Sequence, residues 1–157
     1  MITYETYRSL SDITDLLEQS KDAFVPSSTH PAETPREVLE AHQNKIPFQL
    51  FGFVSDGAPV SYISALPYGD HTDIVAIGPM YVSQSERGKG LGRMQVEEFI
   101  KYATSQEFKG IFTKTWGTNT ASQKIFESLG FKVIGTKEND RIDGSSTLNY
   151  MLNLTTN

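Results

Sequence analysis

Three glycines at alternate positions, Gly88, Gly90 and Gly92, sit in the segment VSQSERGKGLGRM with three cations among them, Arg87, Lys89 and Arg93. Glycine lets a backbone turn tightly and removes the Cβ atoms that would block a close ligand. A strand-like run precedes the segment and a helix-period run follows it. Its amides are therefore those of a helix start, which point outward together in a dipole field that favours an anion. That chemistry is a phosphate or pyrophosphate cradle. A nucleoside-triphosphate P-loop needs Gly-Lys followed by Ser or Thr, and here Gly90 follows Lys89. The dinucleotide fingerprint G-x-G-x-x-G needs a third glycine where Arg93 stands, and no β-α-β unit opens the chain.

The loop Arg87-Gly88-Lys89-Gly90-Leu91-Gly92 fits R/Q-x-x-G-x-G/A, and it follows a run ending Met80-Tyr81-Val82. Downstream lie Asn119, Ile125-Phe126 and Leu129-Gly130-Phe131. Together these resemble the GNAT family of N-acetyltransferases, whose second motif often reads N-x-x-A-x-x-L-Y-x-x-x-G-F. In this chain Ser122 stands for the alanine, Ile125 for the leucine and Phe126 for the tyrosine. The match spans residues 73–135, and the order of elements extends it over the chain. It implies acetyl-CoA as co-substrate, held by Met80, Tyr81, Val82, Arg87, Gly88, Lys89, Gly90, Leu91, Gly92, Arg93, Asn119, Ser122 and Phe126. It further implies direct attack of a primary amine on the thioester in a ternary complex. The acceptor would be a small-molecule amine or a protein amino group, and a homodimer is the assembly the family suggests.

The resemblance also frames the catalytic candidates. Backbone amides around Tyr81 and Val82 could hold the thioester oxygen as charge develops on it. Many relatives use a tyrosine at the position of Phe126 as the acid, and Phe126 has no hydroxyl. Ser122 lies one turn earlier on the same helix face and could meet the same sulfur. Tyr81 and Ser122 are thus the candidate catalytic positions. A glutamate frequent on the strand before the loop is missing from Ile74–Val82. Glu86, Asp73, His71 or water remain as the base.

Each assignment has a plainer structural reading. The glycines could make an ordinary tight turn. Asn119 is a good helix cap wherever it stands, Ser122 a small packing residue, and Gly130-Phe131 a helix stop with a core aromatic. Tyr62 and Tyr81 suggest a partly aromatic acceptor pocket, although either alone reads as a strand-face core residue. His30, His42 and His71 lack ligand spacing, so no metal site is expected. The alternative to an enzyme is an acyl-CoA-binding sensor domain that does little chemistry. A phosphate-binding kinase-like domain is a weaker third reading.

The elements that must position these residues are legible from their periods. Residues 2–8 alternate as a strand, and a helix with Leu10, Ile13, Leu16 and Leu17 on one face follows. Residues 25–33 read as a loop. Thr34-Pro35-Arg36-Glu37 is a capping box with proline at the first helical position, ahead of Val38 and Leu39. Strands are expected at 47–55, 59–68 and 73–82, with Asp56-Gly57 as a turn and a bulge at Gly78-Pro79, because proline removes a ladder donor. A helix over 91–105 carries Val96, Phe99, Ile100 and Ala103. A strand at 110–116, a helix at 120–129 opened by a Thr120/Gln123 capping box and stopped at Gly130, and strands from Phe131 and through Leu148, Tyr150, Leu152 and Leu154 complete the chain. The fold class is α/β (α+β): one domain over 1–157, with a mixed, mostly antiparallel sheet of about seven strands and about four helices.

The 157 residues suffice to bury roughly two-thirds of the unfolded surface. The absence of cysteine rules out disulfides, thiolate catalysis and thiolate metal sites. A net charge of −5 argues against nucleic acid as a partner and would suit a cationic acceptor. No apolar leader opens the chain and no run approaches the ~20 apolar residues of a membrane span, so a cytoplasmic location with no membrane partner is the default expectation.

Overall fold

The computed structural model describes residues 1–23 and 33–155. Most of the expected loop at 25–33, with His30, lies outside the described residues. Strand β1 (Ile2–Tyr7) leads through a 3-10 turn (Leu10–Ile13) into α1 (Thr14–Gln19). Helix α2 (Pro35–His42) has the expected capping box, in which Thr34 Oγ1 accepts from the Glu37 amide at 3.2 Å and Glu37 Oε1 accepts from the Thr34 amide at 3.0 Å. Strands β2 (Gln49–Ser55), β3 (Ala58–Pro59), β4 (Ser61–Tyr68) and β5 (His71–Val82) follow. After them come α3 (Leu91–Ser105), β6 (Gly110–Trp116), α4 (Thr120–Ser128), β7 (Lys132–Lys137) and β8 (Thr147–Asn153).

The eight strands form one sheet in the order β1-β2-β4-β5-β6-β8-β7, with the short β3 beside β2. Among the described strands only β5 and β6 pair in parallel. Alternation along the strands feeds two cores. Ile63, Val75, Ile77 and Ile111 face α3, where Val96, Phe99 and Ala103 meet them, together with Phe126 of α4. Tyr62, Leu66, Leu50 and Val54 face the opposite side and pack on Leu10, Ile13, Leu16, Leu17 and Leu39. Fully burying one such aliphatic side chain is worth about 1.5–3 kcal/mol, so both helical layers are pinned to the sheet.

One break in this order matters for function. The β5–β6 ladder covers only Ile74–Ala76 against Gly110–Phe112, yet β5 continues to Val82 and β6 to Trp116. On its other side β5 stays paired with β4, through a register shift opposite Ser64. That shift falls at Gly78-Pro79, as the missing proline donor requires. At the fork the Thr113 hydroxyl donates to Ile77 O at 3.4 Å. Beyond it the two strands diverge and leave a gap.

The structure corrects the sequence reading in three places. The first helix opens as a 3-10 turn. The Thr120/Gln123 capping box does not form: Asn119 caps α4 by accepting from the Ser122 amide at 3.3 Å, and Gln123 Nε2 donates instead to Trp116 O at 3.1 Å and Gly117 O at 3.0 Å. Leu154 packs against the core but lies just past the end of β8.

Candidate active site

A cleft of about 540 Å³ opens along the gap on the α3 and α4 side of the sheet. Its outer end is the start of α3. Gly90 occupies the N-cap position at φ +79, and Gly88 sits at φ +81. A Cβ at either would meet nothing within 4 Å, so backbone conformation rather than space demands glycine there. Gly92 is different: a Cβ would lie 3.3 Å from Ile125 Cδ1, where α3 approaches α4. Helix α3 has no side-chain cap and no acidic residue in its first turn, whereas Thr34 caps α2 and Asn119 caps α4. Its free amides and dipole are left for an anion.

The cations stand around this end. The Arg87 Nε donates to Val82 O at 3.2 Å, and its guanidinium lies 5.3 Å from the Tyr81 ring centroid. Lys89 pairs with Glu86, and Arg93 reaches Ser128 Oγ. Exposed pairs of this kind are worth about 0–1 kcal/mol, so they yield readily to a phosphate. An uncapped helix start, a cationic rim and a gap with unladdered backbone together fit a phosphorylated ligand with a long arm.

Met80, Val82, Gly78, Thr113, Ser122 and Phe126 line the cleft further in. Phe126 is buried, with its ring 5.3 Å from that of Phe131 and 5.7 Å from that of Tyr150. The Asn119 side chain also lines the cleft, but its polar atoms are committed: Oδ1 to the Ser122 amide and Nδ2 to Thr115 Oγ1 at 3.0 Å. Every residue of the expected acetyl-CoA set except Lys89 is in the lining, and Lys89 stands at the rim. The expectation of an aromatic pocket fails for Tyr62, which lines neither cavity. Tyr62 is fully buried in the core with its hydroxyl 2.7 Å from Ser20 Oγ, and burial pushes its pKa far above the usual phenol value. Tyr81 lines the first cleft. Two base candidates are remote. His71 stacks on Tyr68 at the start of β5, and Asp73 is two residues further on; at ~3.3 Å per residue the strand carries Asp73 roughly 20 Å from Met80. Glu86 is in the cleft lining.

A second cavity, of about 360 Å³, opens on the opposite face, between α2, β4, β5, β6 and the 138–146 segment. Val38, Leu66, Pro67, Phe112 and Trp116 give it apolar walls, and His42, Glu33, Lys114 and Arg141 give it charge or polarity. Gly78, Lys114 and Trp116 line both cavities, so the two approach each other at the gap from opposite faces. Arg141 lies with its guanidinium 5.3 Å from the Trp116 ring centroid, and its Nε donates to Thr147 Oγ1 at 2.9 Å. The Thr147 hydroxyl donates in turn to Asp140 Oδ2 at 2.6 Å; that bond and Lys137 hold the Asp140 carboxyl below the usual carboxylate range. Burial lowers the Arg141 pKa from a value so high that the group stays cationic. His42 Nδ1 is 2.7 Å from Val38 O. Sequence reasoning missed Lys114, Trp116, Arg141 and Gln95. The single tryptophan at a strand end was the one available signal. Among the described residues no group of three or more His, Asp and Glu side chains is placed to hold a metal, and no helix is long and apolar enough to cross a membrane.

Comparison with known proteins adds the family. The model of the Acetyltransferase (GNAT) family matches residues 11–131. N-acetylaspartate synthetase of Xenopus tropicalis is 27% identical over 107 residues, which cover 68% of this chain and 39% of that protein. This chain thus spans under two fifths of the length of the curated relatives it matches first. The ribosomal-protein-S18-alanine N-acetyltransferase of Escherichia coli shares the fold at a TM-score of 0.79 and 19% identity, over 100% of this chain and 96% of that one. The yncA protein of Salmonella typhimurium, solved with acetyl-CoA, superposes at 0.80 with 19% identity, over 99% and 95% of the two chains.

Proposed function

The chain belongs to the GNAT family of acetyltransferases, and from that premise we propose that residues 1–157 act as one domain that moves the acetyl group of acetyl-CoA to a primary amine by direct attack in a ternary complex. The coenzyme enters from the α3 side of the gap and the acceptor from the opposite side. The observation that carries this reading is that two cavities, on opposite faces of the sheet, share Gly78, Lys114 and Trp116 in their linings.

Acetyl-CoA supplies an acyl thioester; the rest falls to the chain. The amides at the start of α3, with Arg87, Lys89 and Arg93 around them, bind the phosphates. Main-chain N–H groups of β5 near Tyr81 and Val82, beyond the end of the β6 ladder, are fixed donors for charge that develops on the acyl oxygen. Ser122 lines the cleft, its Oγ has no protein hydrogen-bond partner among the described residues, and it would donate to the departing sulfur. On the acceptor side, Lys114 has no ion-pair partner among the described residues. Its charge and that of Arg141 would disfavour the ammonium form of an amine nearby and so ease its deprotonation. Glu33 is the one carboxylate in the described lining of that pocket and offers the proton a route outward.

The same cations favour an acceptor that carries a carboxylate beside its amine, with an apolar body against Trp116 and Phe112. This reverses the cationic acceptor that the net charge of −5 suggests. A relative named for N-acetylaspartate, itself a carboxylate, supports the reading. The test is thiol release from acetyl-CoA with amino acids and with the matching amines that lack the carboxylate. Faster acceptor-dependent release with the carboxylate-bearing member of each pair is expected. Release confined to polyamines would overturn the acceptor class, and no acceptor-dependent release from any amine would overturn the transfer.

A further inference from the structure

Gln95 projects from α3 one turn beyond Leu91, on the face that packs against the sheet. It is 1% exposed, and neither its Oε1 nor its Nε2 has a hydrogen-bond partner. It lines the coenzyme-side cleft beside Gly78, Met80, Thr113 and Phe126. The neighbouring hydroxyls are engaged elsewhere: Thr113 donates to Ile77 O, and Thr115 accepts from Asn119. A buried carboxamide with both ends unpaired costs stability that a leucine of similar size would not. Its presence at the fork calls for a ligand to satisfy it.

We infer that Gln95 is a binding residue for the pantetheine arm of the coenzyme, pairing its donor and its acceptor with one of the arm's secondary amides. This rests on the coenzyme reading above and adds a contact to it. An amide leaving water for the gap must recover one donor and one acceptor bond, and a carboxamide offers that complement. The phosphates are not its partner. Gln95 is buried one turn past the exposed helix start and away from Arg87 and Lys89, and a neutral amide adds little where cations and helix amides already stand.

The test separates the arm from the cradle. Calorimetry measures binding of CoA and of adenosine 3′-phosphate 5′-diphosphate, which keeps the phosphates and lacks the arm, to the wild type and to Gln95→Leu; thermal melts without ligand report stability. We expect Gln95→Leu to bind CoA about tenfold more weakly, to bind the armless probe as the wild type does, and to melt at an unchanged or higher temperature. Gln95→Met, unbranched and close in volume, repeats the measurement if leucine disturbs the packing. Unchanged CoA affinity in a folded variant overturns the inference, and so do equal losses for both probes, which would mean a distorted cradle. Failure of both variants to fold also overturns it, since the amide would then serve the fold. Failure of the wild type to bind CoA at all would instead sink the coenzyme reading itself.

Discussion

The two cavities that flank the β5–β6 gap are built in opposite ways. The proposed coenzyme side draws mainly on two nearly continuous stretches, Gly78 to Gln95 and Thr113 to Phe126, and its outer end is an uncapped helix start beside a strand that has left the β6 ladder. The acceptor side gathers single side chains from α2, β4, β5, β6 and the 138–146 segment. Binding through backbone makes strict demands on local conformation and so marks the sequence with glycines at fixed spacing. Binding through scattered side chains leaves no such mark. If this contrast is sound, the two sides should also fail separately under mutation.

The largest effect is expected at Gly90. Glutamate there places a negative charge in the cradle and a side chain at φ +79. CoA affinity should fall at least about tenfold, or ~1.4 kcal/mol, in calorimetry on a folded protein. Gly90→Ala meets open space and shares only the backbone strain, of about 1 kcal/mol; its smaller loss would isolate the charge. Unchanged CoA binding in a folded Gly90→Glu variant would remove the cradle from the coenzyme site.

On the other side, Lys114→Met should raise KM for a carboxylate-bearing acceptor by about tenfold, the scale of ~1.4 kcal/mol for one lost charge-assisted contact. CoA binding measured without acceptor should stay within about twofold. Lys114 lines both cavities, so it is the residue best placed to break the contrast. Equal losses on the two sides would show one continuous site rather than two.

The contrast also explains what could be read in advance. The α3 boundaries, the α2 capping box and the bulge at Gly78-Pro79 were legible because each follows from local backbone chemistry. The sequence offered two caps for α4 because Asn119 and Thr120 are adjacent and both suit an N-cap; the asparagine takes the position and frees Gln123 for the loop. Asp73 and His71 looked near the loop in sequence, but an extended strand carries them to its far end. Gln95 was hidden in an apolar helical stripe, where one polar residue among Leu91, Val96 and Phe99 reads as an imperfection of the face. Arg141 and Trp116 come together only through the pairing of β6 with β8, which no local pattern predicts.

A smaller effect should come from screening. Arg87 and Lys89 are exposed, so their attraction for the phosphates weakens as ionic strength rises and the Debye length shrinks below about 8 Å. CoA affinity should drop several-fold between low and high salt. Dephospho-CoA should bind more weakly than CoA if Lys89 leaves Glu86 for the 3′-phosphate, and Lys89→Ala should then erase that difference. Lys89→Ala leaving a preference for CoA intact would assign the 3′-phosphate to another cation, while salt-independent binding would place recognition on the neutral arm.

The smallest effect tests how little the reaction asks of α4. Phe126 stands where the family motif often has a tyrosine, and it is packed between Phe131 and Tyr150 at 2% exposure. Ser122 Oγ is then the hydroxyl that α4 offers to the cleft. A general acid on which the reaction depends is worth about 10²-fold or more in rate. A thiolate leaves readily without one, so a serine donor should contribute less. We expect Ser122→Ala to lower kcat by under about tenfold, with CoA affinity nearly unchanged because the contact strengthens only as charge develops on sulfur. Phe126→Tyr should leave kcat unchanged or raise it modestly in a protein that still folds, by restoring a hydroxyl near the same atom. A loss of 10²-fold in Ser122→Ala would make Ser122 the acid. An unaltered kcat in both variants would take α4 out of the proton transfer and leave the departing thiolate to water.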